Sequence, residues 1–291
     1  MLVASALISG LGLGSMYGLL ALGFHITHAV SHTVNFAQGS TMMLGAVICF
    51  TLWVTLGLPL PLAVIVALAG CAVWGIIVER IAVRPFVMHG SSFWLIATVA
   101  LGIVIDNIVL FTFGKDPRGM PPGLLTTGAI TIANIRIQYL QALIPLIGIA
   151  LAVALHFFFR GTRYGKALLA VVQNKDAARL MGINVRSAIA FSFALSTALA
   201  GLAGMLIAPL FSVHSEMGTL FGIKAFAVAI LGGITSASGV ILAGLLYGLI
   251  EASVTAFIGS TYTQIIVFAV VILALAVMPN GLLGRAAIKK V

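Results

Sequence analysis

Long apolar runs separated by short polar stretches make up most of this chain. A helix needs roughly 20 apolar residues to cross a bilayer, and most of the runs reach or approach that length. The strands of a β-barrel would instead alternate apolar and polar positions, whereas residues 143–155 contain no polar side chain. The pattern predicts membrane-spanning helices at the following segments: 2–24, 40–56, 62–78, 92–113, 139–159, 187–212, 219–234, 238–258 and 262–279.

Two places interrupt this pattern inside the predicted membrane region. The segment 219–234 is short for a full crossing and ends in a glycine-rich turn. The segment Val34–Gly39 carries the polar residues Asn35 and Gln38. Non-helical backbone at membrane depth is tolerated only where protein buries it or a cavity lies beside it, and paired interruptions indicate a solute path. We therefore expect half-spanning helices at both places.

The amino-acid composition excludes an ordinary water-soluble domain. Of the 291 residues, 62% are hydrophobic and only 7% are charged, whereas soluble domains carry about a quarter charged residues. No Asp, Glu, Lys or Arg precedes Glu79. A soluble fold of this length could not hide so much apolar surface from water. We expect an all-α polytopic membrane protein with about 8–10 transmembrane helices, some of them short or half-spanning, in a single transmembrane domain over residues 1–291.

The net charge of +9 is concentrated in two places. The segment 160–186 has Asp176 as its only acid and carries these basic residues: Arg160, Arg163, Lys166, Lys175, Arg179 and Arg186. A second cluster, Arg285, Lys289 and Lys290, follows the last predicted helix. Because basic residues collect in cytoplasmic loops, the positive-inside rule predicts a cytoplasmic C-terminus and, by counting crossings, an external N-terminus. No basic run is interleaved with aromatic residues, so we expect no nucleic-acid partner.

Within the basic loop, the residues from Asn174 to Gly182 predict a short helix. Asn174 is a favourable N-cap, and the charges of Asp176 and Arg179 complement the helix dipole. Gly182 can end the helix in a left-handed conformation. The helix would have about two turns, roughly 10 Å in length, and would be too polar to enter the membrane. Two interpretations stay open: a solvated loop that sets the topology, and a docking helix for a cytoplasmic partner.

Small residues recur at helical spacing in two of the predicted spans. Gly10, Gly14 and Gly18 share one helix face, and Gly244 and Gly248 share another. Such faces let helix backbones approach closely in lipid. Packing within one subunit is the favoured interpretation, with a subunit interface as the alternative.

A few ionisable residues lie inside or beside the predicted spans. An acid at membrane depth is costly and normally faces a partner or a wet cavity. Asp106 could therefore line a path or make a structural hydrogen bond, and for Glu251 the structural role is favoured. Glu216 and Lys224 flank a membrane boundary, where they could pair with each other or contact a binding protein, and the ion pair is the favoured interpretation.

The sequence contains no pattern typical of an enzyme or a metal site. Neither the Gly-x-Ser-x-Gly nor the His-Glu-x-x-His pattern occurs, and there is no Walker-type Gly-x-x-x-x-Gly-Lys-Ser/Thr. His25, His28 and His32 have a spacing that could suit a metal, but no carboxylate or cysteine neighbours them. We expect no catalytic residue, no metal and no cofactor in this chain.

Five stretches resemble the motifs of one transporter family and occur in the same order. They are N-F-A-Q-G at 35–39 with M-L-G-A at 43–46, E-R-I-A-V-R-P at 79–85, the segment 165–183, K-A-F…L-G-G-I at 224–234, and M-P-N-G-L-L-G-R at 278–285. On these motifs the chain resembles the permease subunits of branched-chain amino-acid ABC importers, the LivH-like family. The resemblance covers about residues 10–285.

The resemblance implies a transmembrane permease that moves branched-chain or related amino acids, or small organic solutes, delivered by an extracytoplasmic binding protein. It implies a second, related permease chain and two cytoplasmic ATPase subunits, which would hold the ATP and Mg²⁺. It also implies a type II-like importer fold in a bacterial-type inner membrane, surrounded by lipid.

The family's motifs also suggest two groups of site residues in this chain. The resemblance makes 160–186 the cytoplasmic coupling loop, with these ATPase-coupling residues: Asn174, Lys175, Asp176, Ala177, Ala178, Arg179, Leu180, Met181 and Gly182. We expect the substrate pathway near Asn35, Phe36, Gln38, Gly39, Asp106, Asn107, Gly232 and Gly233.

Two departures from the family's motifs leave the substrate open. Gln38 stands where the family commonly has His, and Asp106-Asn107 stands where an uncharged Gln-Asn pair is expected. The resemblance also implies alternative substrates, since relatives of this family import urea, short amides and aromatic acids. A different function is also open: a stand-alone channel or secondary carrier for a small polar solute, in which Asp106 or Glu251 would couple ions.

Overall fold

The computed structural model describes residues 2–121, 128–132 and 135–284, so the basic cluster predicted at Arg285, Lys289 and Lys290 lies outside the described residues. Helices make up most of the described chain. Their bounds are α1 (Leu2–Ser31), α2 (Gln38–Phe50), α3 (Leu60–Val78), α4 (Arg84–Met88), α5 (Trp94–Phe113), α6 (Tyr139–Gly161), α7 (Arg163–Gln173), α8 (Lys175–Leu180), α9 (Val185–Ile207), α10 (Met217–Gly232), α11 (Ala237–Phe257) and α12 (Ser260–Val277). An antiparallel hairpin of β1 (Ala129–Ile132) and β2 (Ile135–Gln138) precedes α6.

Eight helical segments of the described chain are long and apolar enough to cross a membrane. They are Ala6–Ser31, Gln38–Thr55, Leu60–Met88, Trp94–Phe113, Ala142–Gly161, Val185–Ile207, Ala237–Phe257 and Ser260–Val277. The helix α10 is shorter, with 16 residues, and would extend about 24 Å against a hydrocarbon layer of about 30 Å. The predicted all-α polytopic fold with a short helix near 219–234 is confirmed.

The third span is longer than the predicted segment 62–78, because the helix does not end at its first charges. A π-helical turn at Glu79–Val83 joins α3 to α4. Glu79 is buried, and the Arg84 guanidinium donates to both of its carboxylate oxygens, at 3.0 Å and 2.7 Å. This paired arrangement neutralises the charge inside the helical segment, so the helix continues to Met88.

The polar interruption at Val34–Gly39 is a turn between two long helices. The helix α1 ends at Ser31, and α2 begins at Gln38. Each belongs to a segment long enough to span a membrane. The prediction of half-spanning helices at this place is wrong, because the polar residues make the hydrogen bonds of a turn without shortening the apolar runs on either side.

The chain divides into two compact units. One unit consists of Met1–His25, Pro122–Ala150 and Lys224–Val291, and the other of Ile26–Pro121 and Leu151–Ile223. Below they are called the terminal unit and the central unit. The single transmembrane domain over residues 1–291 stays a prediction.

Close backbone contacts between α2, α3 and α9 form the core of the central unit. A Cβ added at Gly45 would lie 2.6 Å from the Gly201 carbonyl oxygen, and one added at Gly201 would lie 2.5 Å from the Cys71 sulfur. Ala63 and Ala67 of α3 are also fully buried. Small residues therefore let these three helices pack at short distance, as is typical of helix contacts in membranes.

The Gly45→Ala substitution is expected to destabilise the protein by about 1–3 kcal/mol, because the added methyl group meets rigid backbone rather than a movable side chain. Equilibrium unfolding in mixed micelles measures the change. Gly161→Ala is the matched control, since no atom lies within 4 Å of a Cβ added there. Equal stability of the two variants would contradict the close contact.

The terminal unit uses glycine in the same way to join α1 to α11. A Cβ added at Gly14 would lie 2.8 Å from the Leu245 Cα, and one added at Gly244 would lie 2.6 Å from the Gly18 Cα. Tyr17 and Tyr247 pack edge to face beside these glycines, with ring centroids 5.2 Å apart. The two glycine faces seen in the sequence thus pack against each other within one chain, which is the favoured interpretation.

Candidate functional site

The predicted coupling residues form a short capped helix in the loop 160–186. The Asn174 side-chain oxygen accepts from the backbone N–H groups of Asp176 and Ala177, both at 3.0 Å. Gly182 has a φ of +82° and ends the helix α8 in the left-handed region, where only glycine avoids a steric penalty. The predicted helix, its N-cap and its glycine end are confirmed. The N-terminal half of the loop adds a second helix, α7, which Thr162 caps.

One face of α8 packs on the chain's own apolar residues. Ala178 is only 3% exposed and belongs to a buried cluster with Val30, Leu168, Val171 and Val185. Because Val30 lies in the last turn of α1, this cluster seats α8 on the end of the first helix. Ala178 therefore acts through packing within this chain.

The C-terminal end of α8 and the residue that follows it present apolar side chains to the surroundings. Leu180 is 89% exposed, and Met181 is 82% exposed. The other coupling residues that are exposed are Asn174, Asp176, Ala177, Arg179 and Gly182. Large apolar side chains surrounded by polar groups mark a surface that another protein can cover. We call Leu180 and Met181 the apolar tip of the loop.

The turn that contains Asn35 and Gln38 is held by buried hydrogen bonds of the central unit. Asn35 Oδ1 accepts from the Ala37 N–H at 3.1 Å. Gln38 Nε2 donates to the Ser196 carbonyl oxygen, and the Ser196 hydroxyl donates back to Gln38 Oε1, each at 3.1 Å. Asn35 and Gln38 are both fully buried. In this conformation the two side chains shape the turn and fix it to α9.

The remaining pathway candidates of the turn differ in exposure. Phe36 is half-buried, and its backbone N–H donates to the Thr98 hydroxyl at 3.4 Å. Gly39 is buried, and a Cβ added there would lie 2.9 Å from the Gly222 Cα of α10. Gly39 therefore provides a helix contact, whereas the Phe36 ring is partly accessible.

Asp106 and Asn107 lie on different faces of α5. Asp106 is half-buried beside the Ser40 hydroxyl, two residues after Gln38. Its Oδ1 atom is buried and has no hydrogen-bond partner in the described part of the chain. Asn107 is exposed and donates to the Ile103 carbonyl oxygen at 2.8 Å. Asp106, and not Asn107, is thus brought close to the turn at Asn35–Gly39.

Gly232 and Gly233 belong to the terminal unit, where Gly232 ends α10 and Gly233 begins the turn on which the 278–284 segment packs. The Leu282 N–H donates to the Leu231 carbonyl at 2.7 Å, and a Cβ added at Gly233, which has a φ of +83°, would lie 2.6 Å from the Gly284 Cα. Two motifs about 50 residues apart in the sequence are therefore in contact.

The other side of the same turn contacts His25 of α1. Its Nδ1 atom is hydrogen-bonded to the Ile234 carbonyl oxygen at 2.7 Å. Nothing in the local sequence around His25 indicates this role, because its backbone partner lies more than 200 residues away. Within the described ranges, no three His, Cys, Asp or Glu side chains gather in a geometry that could hold a metal.

A buried ion pair lies inside the terminal unit. Lys224 Nζ donates to Glu251 Oε1 at 2.5 Å and to the Tyr17 hydroxyl oxygen at 3.3 Å. The Lys224 and Glu251 side chains are only 7% and 12% exposed. The predicted pairing of Lys224 with Glu216 is wrong, since Glu216 is exposed and the ammonium group points to α11 instead. Glu251 has the structural role that the sequence favoured.

Comparison with known proteins identifies the family. The family described as "Branched-chain amino acid transport system / permease component" matches residues 6–275. The high-affinity branched-chain amino acid transport system permease protein BraD of Pseudomonas aeruginosa is 33% identical over 98% of this chain and 97% of its own length. The corresponding permease protein LivH of Salmonella typhimurium is 32% identical over 98% of this chain and 96% of its own length.

A solved structure supports the fold alone. A chain of PsaBC from Streptococcus pneumoniae, in complex with Fab, superposes with a TM-score of 0.50 at 15% identity. The match covers 94% of this chain and 91% of that chain. The two chains thus share a fold, the type II-like one that the resemblance implied. With eight candidate spans among the described residues and near-full-length relatives, this chain belongs to the branched-chain amino acid transport permease family and is a multi-pass membrane permease.

Proposed function

We propose that this chain is the translocation subunit of an ATP-binding-cassette importer for branched-chain or related amino acids. The observation that carries the proposal is the similarity to BraD and LivH, which extends over 98% of the chain. The names of both relatives describe high-affinity branched-chain amino acid transport. Small organic solutes such as urea, short amides and aromatic acids are the alternative substrates, and Gln38 and Asp106 are the positions where this chain departs from its family's motifs.

The importer would contain several other chains. A second, related permease would complete the path, and two cytoplasmic ATPase subunits would hold the ATP and Mg²⁺. A binding protein would deliver solute from outside. The apolar tip, Leu180 and Met181, supports an ATPase contact at residues 174–182, since it is exposed beside the packed Ala178. We therefore favour a docking helix over a loop that only sets the topology, because setting the topology requires charge and not exposed apolar side chains.

The proposed orientation has an external N-terminus and a cytoplasmic C-terminus. The basic residues of 160–186 support a cytoplasmic coupling loop. The count to the C-terminus treats the short helix α10 and its flanking turns as one crossing, beside the spans of α9, α11 and α12.

We propose that all the predicted pathway residues contribute to the solute path, some by contact with solute and others by shaping the backbone beside it. The partly accessible Phe36 and the buried Asp106 Oδ1, which has no hydrogen-bond partner among the described residues, support direct contact with solute or pathway water. The hydrogen bonds of Asn35 and Gln38 support a role in shaping the turn beside the path. Gly39, Gly232 and Gly233 each allow another backbone segment of their own unit to pack closely against them. Asn107 is exposed.

Copurification and transport together test the proposal. The tagged chain, extracted gently from its own membrane, is expected to bring down two nucleotide-binding subunits and a second permease. In proteoliposomes, leucine uptake is expected to require ATP and the binding protein. Solute uptake by this chain alone in ATP-free vesicles would instead establish the stand-alone channel or carrier. A ligand screen on the copurified system's binding protein identifies the substrate.

A further inference from the structure

The lysine that begins α8 reaches the end of the first transmembrane helix. Lys175 is half-buried, and its Nζ atom donates to the Ser31 carbonyl oxygen at 3.4 Å. Ser31 is the last residue of α1. The final carbonyls of a helix have no intrahelical donor and carry the negative end of its dipole, so a cation there is favourable. The Lys175 ammonium therefore caps α1 from the coupling loop.

The capped residue is the first member of a hydrogen-bonded turn. The Ser31 hydroxyl donates to the Thr27 carbonyl oxygen and lies 2.6 Å from the Thr33 hydroxyl. The Thr33 N–H donates to the same Ser31 oxygen at 3.2 Å. Between them His32 has a φ of +61°, a left-handed conformation that a residue with a side chain adopts only when its surroundings hold it. Ser31 and Thr33 are buried.

This turn leads directly into the motif at 35–39. Two residues after Thr33, Asn35 bonds the Ala37 N–H, and Gln38 is joined to Ser196 of α9 by two hydrogen bonds. The hydrogen bonds of Ser31 and Thr33 thus lie next to those of Asn35 and Gln38, and the backbone through Val34 joins the two groups between α8 and the buried start of α2. All of these residues belong to the central unit.

Apolar packing keeps the lysine in place. Val30 lies in one buried cluster with Ala178 of α8 and with Leu168 and Val171 of α7. A displacement of α7 and α8 therefore either moves the end of α1 as well or breaks this cluster. Burial lowers the pKa of Lys175 below its ordinary value. Two causes lower the pKa of His32: the larger is burial, and the smaller is the positive charge of Lys175. The second cause agrees with the short distance between the ammonium group and the turn.

We propose that Lys175 is a positioning residue that transmits displacement of the coupling helix to the Asn35–Gly39 turn through the Ser31 carbonyl. The inference rests on the proposed function, since it requires an ATPase that moves residues 174–182. A lysine that served only to set topology would be solvated like Lys166, which is exposed in the same basic loop. Lys175 instead has a defined acceptor inside the protein.

The test uses the complete importer in proteoliposomes with its binding protein and leucine as the transported probe. Lys175→Met keeps the apolar stem and removes the charge, Lys175→Arg keeps the charge, and Lys166→Met is the matched control. Leucine transported per ATP hydrolysed is the readout, with copurification of the ATPase subunits measured on the same samples. In complexes that retain their ATPase subunits, Lys175→Met is expected to transport roughly fivefold less leucine per ATP. Lys175→Arg is expected to recover at least about half of the ratio, and Lys166→Met to leave it unchanged.

The outcomes separate this inference from the proposed function. A wild-type ratio in Lys175→Met, or an Arg variant as defective as the Met variant, would overturn the inference. Failure of the unmodified chain to bring down ATPase subunits would instead overturn the proposed function. If Lys175→Met does not fold, Thr33→Val serves in its place, because it removes the hydroxyl bonded to Ser31 and nearly conserves volume. An unchanged transport ratio in Thr33→Val would equally count against the link.

Discussion

Leu180→Asp is expected to abolish copurification of the ATPase subunits while the permease itself still folds. The Leu180 side chain is 89% exposed, so its own contribution to stability is small, within about 0.5 kcal/mol. If the ATPase covers the apolar tip, an aspartate there buries a carboxylate without a partner, and a loss of about 2 kcal/mol or more reduces association roughly 30-fold. Pull-down of the tagged permease, quantified against its own band, measures the effect.

Two further variants show whether the surface or the fold responds. Leu180→Met keeps an apolar side chain and is expected to retain the ATPase subunits. Ala178→Asp places its carboxylate in the buried cluster around Val30 and is expected to disturb the seating of α8 on the chain itself, seen as a lower unfolding midpoint. Normal copurification of Leu180→Asp would exclude the apolar tip from the ATPase contact.

Lys224→Met is expected to destabilise the permease by about 3–5 kcal/mol, because it leaves the Glu251 carboxylate buried without its cation. The Glu251 side chain is only 12% exposed, and its second oxygen, Oε2, already has no hydrogen-bond partner in the described ranges. Equilibrium unfolding in mixed micelles, with the purified chain at constant detergent composition, measures the loss.

A double-mutant cycle isolates the pair from its surroundings. Glu251→Gln alone is also expected to destabilise, whereas Lys224→Met combined with Glu251→Gln should recover part of the loss, since no charge then remains unpaired. Glu216→Gln is the matched control, because Glu216 is exposed, and it is expected to change stability by less than about 0.5 kcal/mol. Additive single effects would show that the ion pair contributes no coupling energy.

The bounds of the coupling helix could be predicted from local sequence, whereas its exposed side could not. Asn174, Asp176, Arg179 and Gly182 predicted its beginning, end and length, because capping and dipole effects act within one or two turns. Which face is exposed could not be read from six residues. Ala178 is buried in a cluster that includes Val30, about 150 positions away in the sequence, whereas Leu180 is exposed.

The partners of the pathway candidates could not be predicted from local sequence. The polar breaks at Asn35–Gly39 and Gly232–Gly233 were visible as interruptions, but their partners were not. Gln38 bonds to Ser196, and Gly233 packs against the 278–284 segment. The grouping of these residues as one pathway stays a prediction. Asn35–Gly39 belongs to the central unit and Gly232–Gly233 to the terminal unit.

Membrane residence, the helical class, the approximate spans and the capped helix at 174–182 can all be predicted from the sequence. Each of these follows from apolar length or from groups a few residues apart, and such patterns are complete within a single stretch of chain. The folded chain was needed to show that Lys224 pairs with Glu251, that Lys175 caps α1 and that the glycines of α1 pack on α11. Those choices depend on which helices become neighbours. In a chain where nearly every helix is apolar on all sides, the hydrophobic pattern does not distinguish one neighbour from another, so close packing and a few polar contacts make the selection.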